Sequence, residues 1–269
     1  MKYFLITSLA KSGTTWVQRI CHAHPEMHCR AEDQFTKFWG RVNDLTEDYN
    51  DLVMQRDRER DQQGIDALNK DDATKLFFSM VKIAMDKAPP GTACTGIKDL
   101  VLSNRGFLEY LPNANIINVI RDPRDVAISA KAHARRVDGT ETELDDAFAA
   151  DVYLLWLRHL RMVDSARRRF PRQVHDIRYE DLVADFPMAV GALLSFLGVD
   201  ASRETIEHLR RETDFKRLSG GRAPGEADPN SYFRKGIAGD WRQTLTASQI
   251  AFAEQQCGEQ LEAHGYDRR

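Results

Sequence analysis

The chain has 269 residues, 42% of them hydrophobic, and a formal net charge of −3. That is enough apolar content for the core of a single domain (residues 1–269), and it argues against wholesale disorder. The near-neutral balance excludes a global field for nucleic acid, so any anion site must be local.

Tyr3–Thr7 is a buried strand and Thr14–Ala23 the helix after it. Between them "SLAKSGTTW" (Ser8–Trp16) has the strand, turn and helix arrangement of a phosphate loop, but its lysine precedes the glycine. Residues 33–90, rich in charge and helix formers, form a helical insertion that could cover a site. Thr95–Lys98 is a short strand and Arg105–Leu111 a short helix. Asn115–Ile120 is the clearest strand, and Asp122 caps the helix that Pro123 begins. Asp145–Phe170 is a long helix, Gln173–Tyr179 a strand, and Pro187–Leu197 a helix stopped by Gly198. Residues 219–231, "SGGRAPGEADPNS", read as a mobile loop. Strands alternating with helices predict an α/β fold, a mostly parallel sheet with helices on both faces. Cys21, Cys29, Cys94 and Cys257 form no C-x-x-C pair, which reads as free thiols in a reducing compartment. No apolar stretch reaches bilayer length and the N-terminal run is too short for a signal peptide, so a cytoplasmic location is expected.

In the loop, Gly13 lets the backbone approach an anion, and amides at the helix N-terminus point at it. Ser12, Thr14 and Thr15 add hydroxyls and Lys11 a positive charge. The arrangement resembles the sulfotransferases that use 3′-phosphoadenosine-5′-phosphosulfate (PAPS), whose 5′-phosphosulfate loop places Lys or Arg before Ser-Gly-Thr-Thr. In that family the lysine faces the oxygen bridging phosphate and sulfate. "NVIRDPRDVAIS" resembles the family's 3′-phosphate motif, with Arg121 at a strand end and Ser129 eight residues on. "FRKGIAGDW" (Phe233–Trp241) resembles its C-terminal R-K-G-x-x-G-D-W loop, which implies that Arg234, Lys235 and Gly236 clamp the 3′-phosphate. The resemblance further implies adenine contacts from Trp16, from Tyr179 of "RYEDL", and from Thr213 and Phe215 of "TDF". It extends from Tyr3 to about Trp241, except over residues 33–90. The fold it implies is a three-layer sandwich like that of P-loop kinases, with PAPS as cofactor, PAP (3′,5′-adenosine bisphosphate) as product and no metal required.

By the same resemblance Lys11 stabilises the leaving oxygen and Lys98 is a second electrostatic contributor. Many relatives carry K-x-H at Lys98 with the histidine as base, but here "IKDLVLS" has Asp99 and then Leu100. The spacing of "HPEMHCRAEDQF" resembles the protein-tyrosine branch and implies Glu32, twenty-one residues after Lys11, as the base. Asp99 is the next candidate, then His133, His22 and His28. Phe35, Phe38 and Trp39 line an acceptor pocket or belong to the core. Small-molecule, carbohydrate, lipid and peptide acceptors all stay open. The rivals are a nucleotide-binding phosphotransferase and a non-catalytic PAPS/PAP-binding module. The C-terminal dimer motif of the cytosolic enzymes is mostly lost in "RQTLTASQIA" (Arg242–Ala251), which keeps Thr246 and a basic first residue and leaves the oligomeric state undetermined.

Overall fold

The computed structural model describes residues 1–31, 35–60, 67–102, 104–111, 113–139, 144–228 and 230–268. Its strands are β1 (Lys2–Thr7), β2 (Met27–Arg30), β3 (Cys94–Lys98), β4 (Ala114–Ile120) and β5 (Val174–Arg178), and they form one all-parallel sheet in the order β2-β3-β1-β4-β5. Helix α1 (Thr14–Ala23) joins β1 to β2, and α2 (Thr36–Glu59) and α3 (Lys70–Met85) lie between β2 and β3. Helix α4 (Asn104–Tyr110) links β3 to β4, and α5 (Pro123–Asp138) and α6 (Asp146–Arg169) link β4 to β5. After β5 come α7 (Tyr179–Ala184), α8 (Phe186–Leu197), α9 (Arg203–Glu212), α10 (Phe215–Leu218), α11 (Trp241–Thr244) and α12 (Ala247–Ala263).

Alternation along β1 explains the three layers. Side chains on a strand point to opposite faces by turns. Phe4 and Ile6 join a core with Val17 and Ile20 of α1 and Leu193 of α8, while Tyr3 and Leu5 join a core with Phe77 and Val81 of α3 and Phe107 of α4. Each fully buried side chain of this size stabilises the fold by about 1.5–3 kcal/mol. The expected α/β sandwich is therefore present, and all five strands run parallel.

Two features go beyond the sequence expectations. The 33–90 segment does contain two helices, but α3 carries part of the second core through Ala73, Phe77, Phe78, Val81 and Met85, so it is a structural layer and not only a cover. Strand β2 at the sheet edge was not expected from "MHCR": its apolar/polar alternation, with Met27 and Cys29 buried, spans only four residues and is too short to stand out. Phe35 is buried in the same core, Trp39 packs edge-on to Phe77 at 5.3 Å, and Phe38 is exposed. The other elements that were expected fall within a residue or so of their bounds, whereas α7 and α9 to α12 were not anticipated. Asp122 caps α5 by accepting from the Arg124 amide at 2.9 Å. All four cysteines are buried free thiols. No helix among the described residues is long and apolar enough to cross a membrane.

Candidate active site

The C-terminal edge of the sheet delivers the predicted residues to one place, as parallel α/β sheets do. After β1 the chain turns sharply. Lys11 takes a φ of 73° and Gly13 one of 95°, and a Cβ on Gly13 would come within 2.6 Å of the Tyr179 ring. Glycine is therefore required there twice over, by conformation and by space. The first intrahelical bond of this turn runs from the Trp16 amide to the Gly13 carbonyl, so the amides of Gly13, Thr14 and Thr15 precede the helical ladder, and all three residues line the cleft. Ser12 behaves differently. It is 1% exposed, its amide donates to Leu9 O at 3.3 Å, and it does not line the cleft.

The cleft encloses about 780 Å³ and is open to solvent on one side. Lys11, Gly13, Thr14, Thr15, Trp16, Arg121, Ser129, Tyr179, Thr213, Phe215, Arg234, Lys235 and Gly236 line it, together with Leu218, Tyr232 and Phe233. Trp16 donates its indole N–H to Thr213 O at 2.9 Å and packs edge-on to Tyr179, whose ring carries Arg121 4.3 Å above it. Phe215 closes over Gly236, where a Cβ would lie 2.3 Å from its ring. Rings and cations thus lie side by side in the cleft, Arg121 against Tyr179 and Phe215 against the turn that carries Lys235.

The cations are held from behind by two carboxylates. Asp125 on α5 is fully buried, accepts from the amides of Gly239 at 2.8 Å and Trp241 at 2.9 Å, and pairs with Arg121 at 3.5 Å. Burial dominates its titration and raises its pKa, against the opposing pull of Arg121 and the two amides. Asp240 takes Lys235 at 2.6 Å and Arg234 at 2.7 Å. Burial works against that carboxylate, yet the hydrogen bonds from Lys235 and Arg234 outweigh it and keep its pKa below the usual value. Next to these, Arg124 is wholly buried beneath Trp241 with its guanidinium 3.5 Å from the ring, paired with Asp122 and donating to Asp267 O and Arg268 O. The R-D-P-R-D stretch therefore serves two purposes. Arg121 faces the cleft, and Asp122, Arg124 and Asp125 bolt the distant "GDW" turn to α5. The 219–231 loop folds back onto the same strap, with Gly225 and Asp228 amides donating to Lys235 and Arg234 carbonyls.

At the catalytic end Lys98 donates to Thr15 Oγ1 at 3.1 Å, and the Tyr232 hydroxyl meets the same oxygen at 2.7 Å. Lys11 Nζ lies 4.7 Å over the Tyr232 ring. Burial first, then the Arg136, Arg121 and Lys98 cations, lower the Lys11 pKa to about 8. Asp99 directs Oδ1 to the amides of Val101 and Leu102, at 2.9 and 3.0 Å, and so closes the turn after β3. His22 is exposed and packs against His28 at 5.3 Å; neither lines the cleft. His133 lines a smaller cavity next to Lys11. Glu32 lies outside the described residues.

Three contributors escaped the sequence reading: Asp125, Asp240 and Tyr232. Asp125 takes backbone amides more than a hundred residues away, which no local spacing announces, and Asp240 reads as an ordinary turn acid although its cations are five and six residues before it. Tyr232 sits directly before the basic loop and reads as an ordinary loop aromatic. The cleft suits an anionic nucleotide. Arg121 Nε is buried and makes no hydrogen bond among the described residues, Lys11 meets no carboxylate there, and rings line the same cleft. Among the described residues no three His, Cys, Asp or Glu side chains gather as a metal site.

Comparison with known proteins agrees with this geometry. Bovine "Sulfotransferase 1A1" is 28% identical over 152 residues, which cover 50% of each chain. "Cytosolic sulfotransferase 17" of Arabidopsis thaliana is 24% identical over 98% of this chain and 75% of its own. The alignment with the bovine relative thus spans half of that protein's length. Mouse sulfotransferase SULT7A1 complexed with PAP superposes with a TM-score of 0.62 at 18% identity, covering 97% of this chain and 85% of that one. Retinol dehydratase in complex with androsterone and inactive cofactor PAP gives 0.58 at 19% identity, covering 100% and 83%. Both share the fold. The family model described as "Sulfotransferase family" matches residues 4–203, a stretch that takes in most of the sheet, the phosphate turn and Arg121. The chain belongs to the sulfotransferase family.

Proposed function

We propose that the protein transfers the sulfuryl group of PAPS to a hydroxyl or amine acceptor by in-line displacement and releases PAP, with no metal required. The observation that carries this reading is the convergence of Lys11, Arg121, Arg234 and Lys235 on one cleft walled by Trp16, Tyr179 and Phe215. PAPS supplies the sulfuryl group and a phosphate oxygen as leaving group. Arg121, Ser129, Arg234, Lys235 and the Gly236 amide hold the 3′-phosphate, and Trp16, Tyr179, Thr213 and Phe215 hold the adenine. The amides of Gly13, Thr14 and Thr15, with the Thr hydroxyls, orient the 5′ end, and Ser12 supports that turn from below.

Lys11 then stabilises charge on the leaving oxygen, and Lys98 with Thr15 stabilises the sulfuryl oxygens. Preorganised donors of this kind contribute about 3–4 kcal/mol each. Glu32 takes the acceptor proton. It follows Arg30, the last residue of β2, by two positions, and Arg30 is paired in register with Ile97 next to Lys98. Asp99, whose Oδ1 is engaged by two amides, is the weaker candidate. A small molecule, carbohydrate or peptide is the acceptor, and a single domain in the cytoplasm is part of the same reading.

Calorimetric titration with PAP in the absence of metal, with ATP as control, tests this. Micromolar or tighter PAP binding, far tighter than ATP and weakened strongly by Arg121→Ala, is expected. Preference for ATP, or a need for Mg²⁺, would overturn the reading in favour of a phosphotransferase. Loss of sulfuryl transfer by about 10²–10⁴ in Glu32→Gln with PAP affinity retained is the expected mark of the base.

A further inference from the structure

A second cavity, of about 210 Å³, adjoins the donor cleft and shares Lys11, Ser129, Tyr232 and Arg234 with it. Its remaining lining is Ala132, His133, Arg136 and Ser231. Among the described residues three cations, one imidazole and three hydroxyls line it, with no carboxylate. Tyr232 lines both spaces, with Lys11 4.7 Å and Arg136 5.8 Å from its ring centroid.

The donor accounts for only part of this charge. Arg121, Arg234 and Lys235 have Asp125 and Asp240 behind them. Among the described residues Arg136 and Lys11 meet no carboxylate, and Arg136 and His133 do not line the donor cleft. Arg136 approaches His133 Nδ1 to 2.9 Å. A guanidinium can only donate, so Nδ1 carries the lone pair and the imidazole proton is on Nε2. The Arg136 charge is also one of the cations that depress Lys11, and an anion between the two would relieve that repulsion.

Resting on the sulfotransferase reading above, we propose that this cavity is an acceptor subsite for an oxyanion. The acceptor presents its hydroxyl or amine at the corner formed by Lys11, Lys98 and Thr15, and carries a carboxylate, sulfate or phosphate group that reaches Arg136 and Ser231. Acidic acceptors are then preferred over neutral ones of the same shape, because the cationic lining attracts an anion and gains nothing from a neutral group.

Inorganic sulfate is the probe, titrated by calorimetry into the full chain saturated with PAP. Sulfate is expected to bind, Arg136→Gln to weaken it about tenfold, and Arg136→Lys to keep it within about threefold, as expected for charge-assisted contacts. PAP affinity, measured without sulfate, is expected to stay within about twofold in both variants, since Arg136 lies outside the donor cleft. No sulfate binding to the PAP complex, or equal binding by Arg136→Gln, overturns the subsite. A fall in PAP affinity in Arg136→Gln also overturns it, by assigning the cations to the donor. Failure of the wild-type chain to bind PAP at all is a separate result that removes the sulfotransferase reading first, and the subsite with it.

Discussion

The Lys11 ammonium makes donor binding pH-dependent above neutrality, with a slope that can be worked out beforehand. In the free protein its pKa is lowered to about 8 by burial and by Arg136, Arg121 and Lys98. Donor phosphates next to it favour the charged form and return the pKa toward its ordinary value of about 10.4. The pKa is thus higher in the complex, so binding takes up a proton and affinity falls as pH rises through the free-protein pKa. With these two values linkage gives an affinity about tenfold weaker at pH 9 than at pH 7, and an uptake of about 0.9 proton at pH 9 against about 0.1 at pH 7. Calorimetry with PAP in pairs of buffers of different ionisation enthalpy reads both quantities. Lys11→Arg, which stays charged throughout, is expected to lose the slope while still binding. A wild-type affinity that is flat from pH 7 to pH 9, or an equal slope in Lys11→Arg, would refute the reasoning.

Three further outcomes follow from the carboxylate supports and the turn. Asp240→Asn removes the counter-charge from Arg234 and Lys235, and is expected to cost about 1–3 kcal/mol in chemical denaturation and about tenfold in PAP affinity by calorimetry. Gly13→Ala forces a methyl toward Tyr179 in left-handed backbone, where an L-residue pays about 1–2 kcal/mol in conformation alone; its thermal midpoint should fall, with PAP binding lost. Arg124→Ala leaves buried Asp122 unpaired and is expected to destabilise the fold by about 3–5 kcal/mol, read from urea unfolding.

The sheet and the phosphate turn were legible because their signals are local. "NIINVI", the Pro123 start and the glycine between Lys11 and Thr14 each announce an element or a conformation within a few residues. Arg121 and Arg234–Gly236 were legible only through motifs, since nothing in composition says that positions more than a hundred residues apart will meet. What joins them was hidden for the same reason. Asp125 looks like an ordinary first-turn helix acid, yet in the fold it takes the Gly239 and Trp241 amides. Thr246, read as a remnant of a dimer motif, caps α12 through its bond with the Gln249 amide. Ser12 sits inside the loop motif but its amide is turned toward Leu9, a local choice of backbone direction that residue identity does not reveal. Strand β2 alternates Met27 and Cys29 inward, but over four residues at the edge that alternation is too brief to announce a strand without its pairing to β3.

The strand order has a directional consequence for the proposed donor. From β3 to β5 the sheet crosses three inter-strand gaps, through β1 and β4, a lateral distance of about 14 Å at the usual spacing. Lys98 ends β3, Lys11 follows β1, Arg121 follows β4 and Tyr179 follows β5, so chemistry changes stepwise from ammonium to aromatic along a fixed scale. A molecule with a base at one end and a reactive anion at the other fits this scale in one orientation only. The permutation of strands thus acts as a polarity label, and reversing the nucleotide would require a different topology, not merely different side chains.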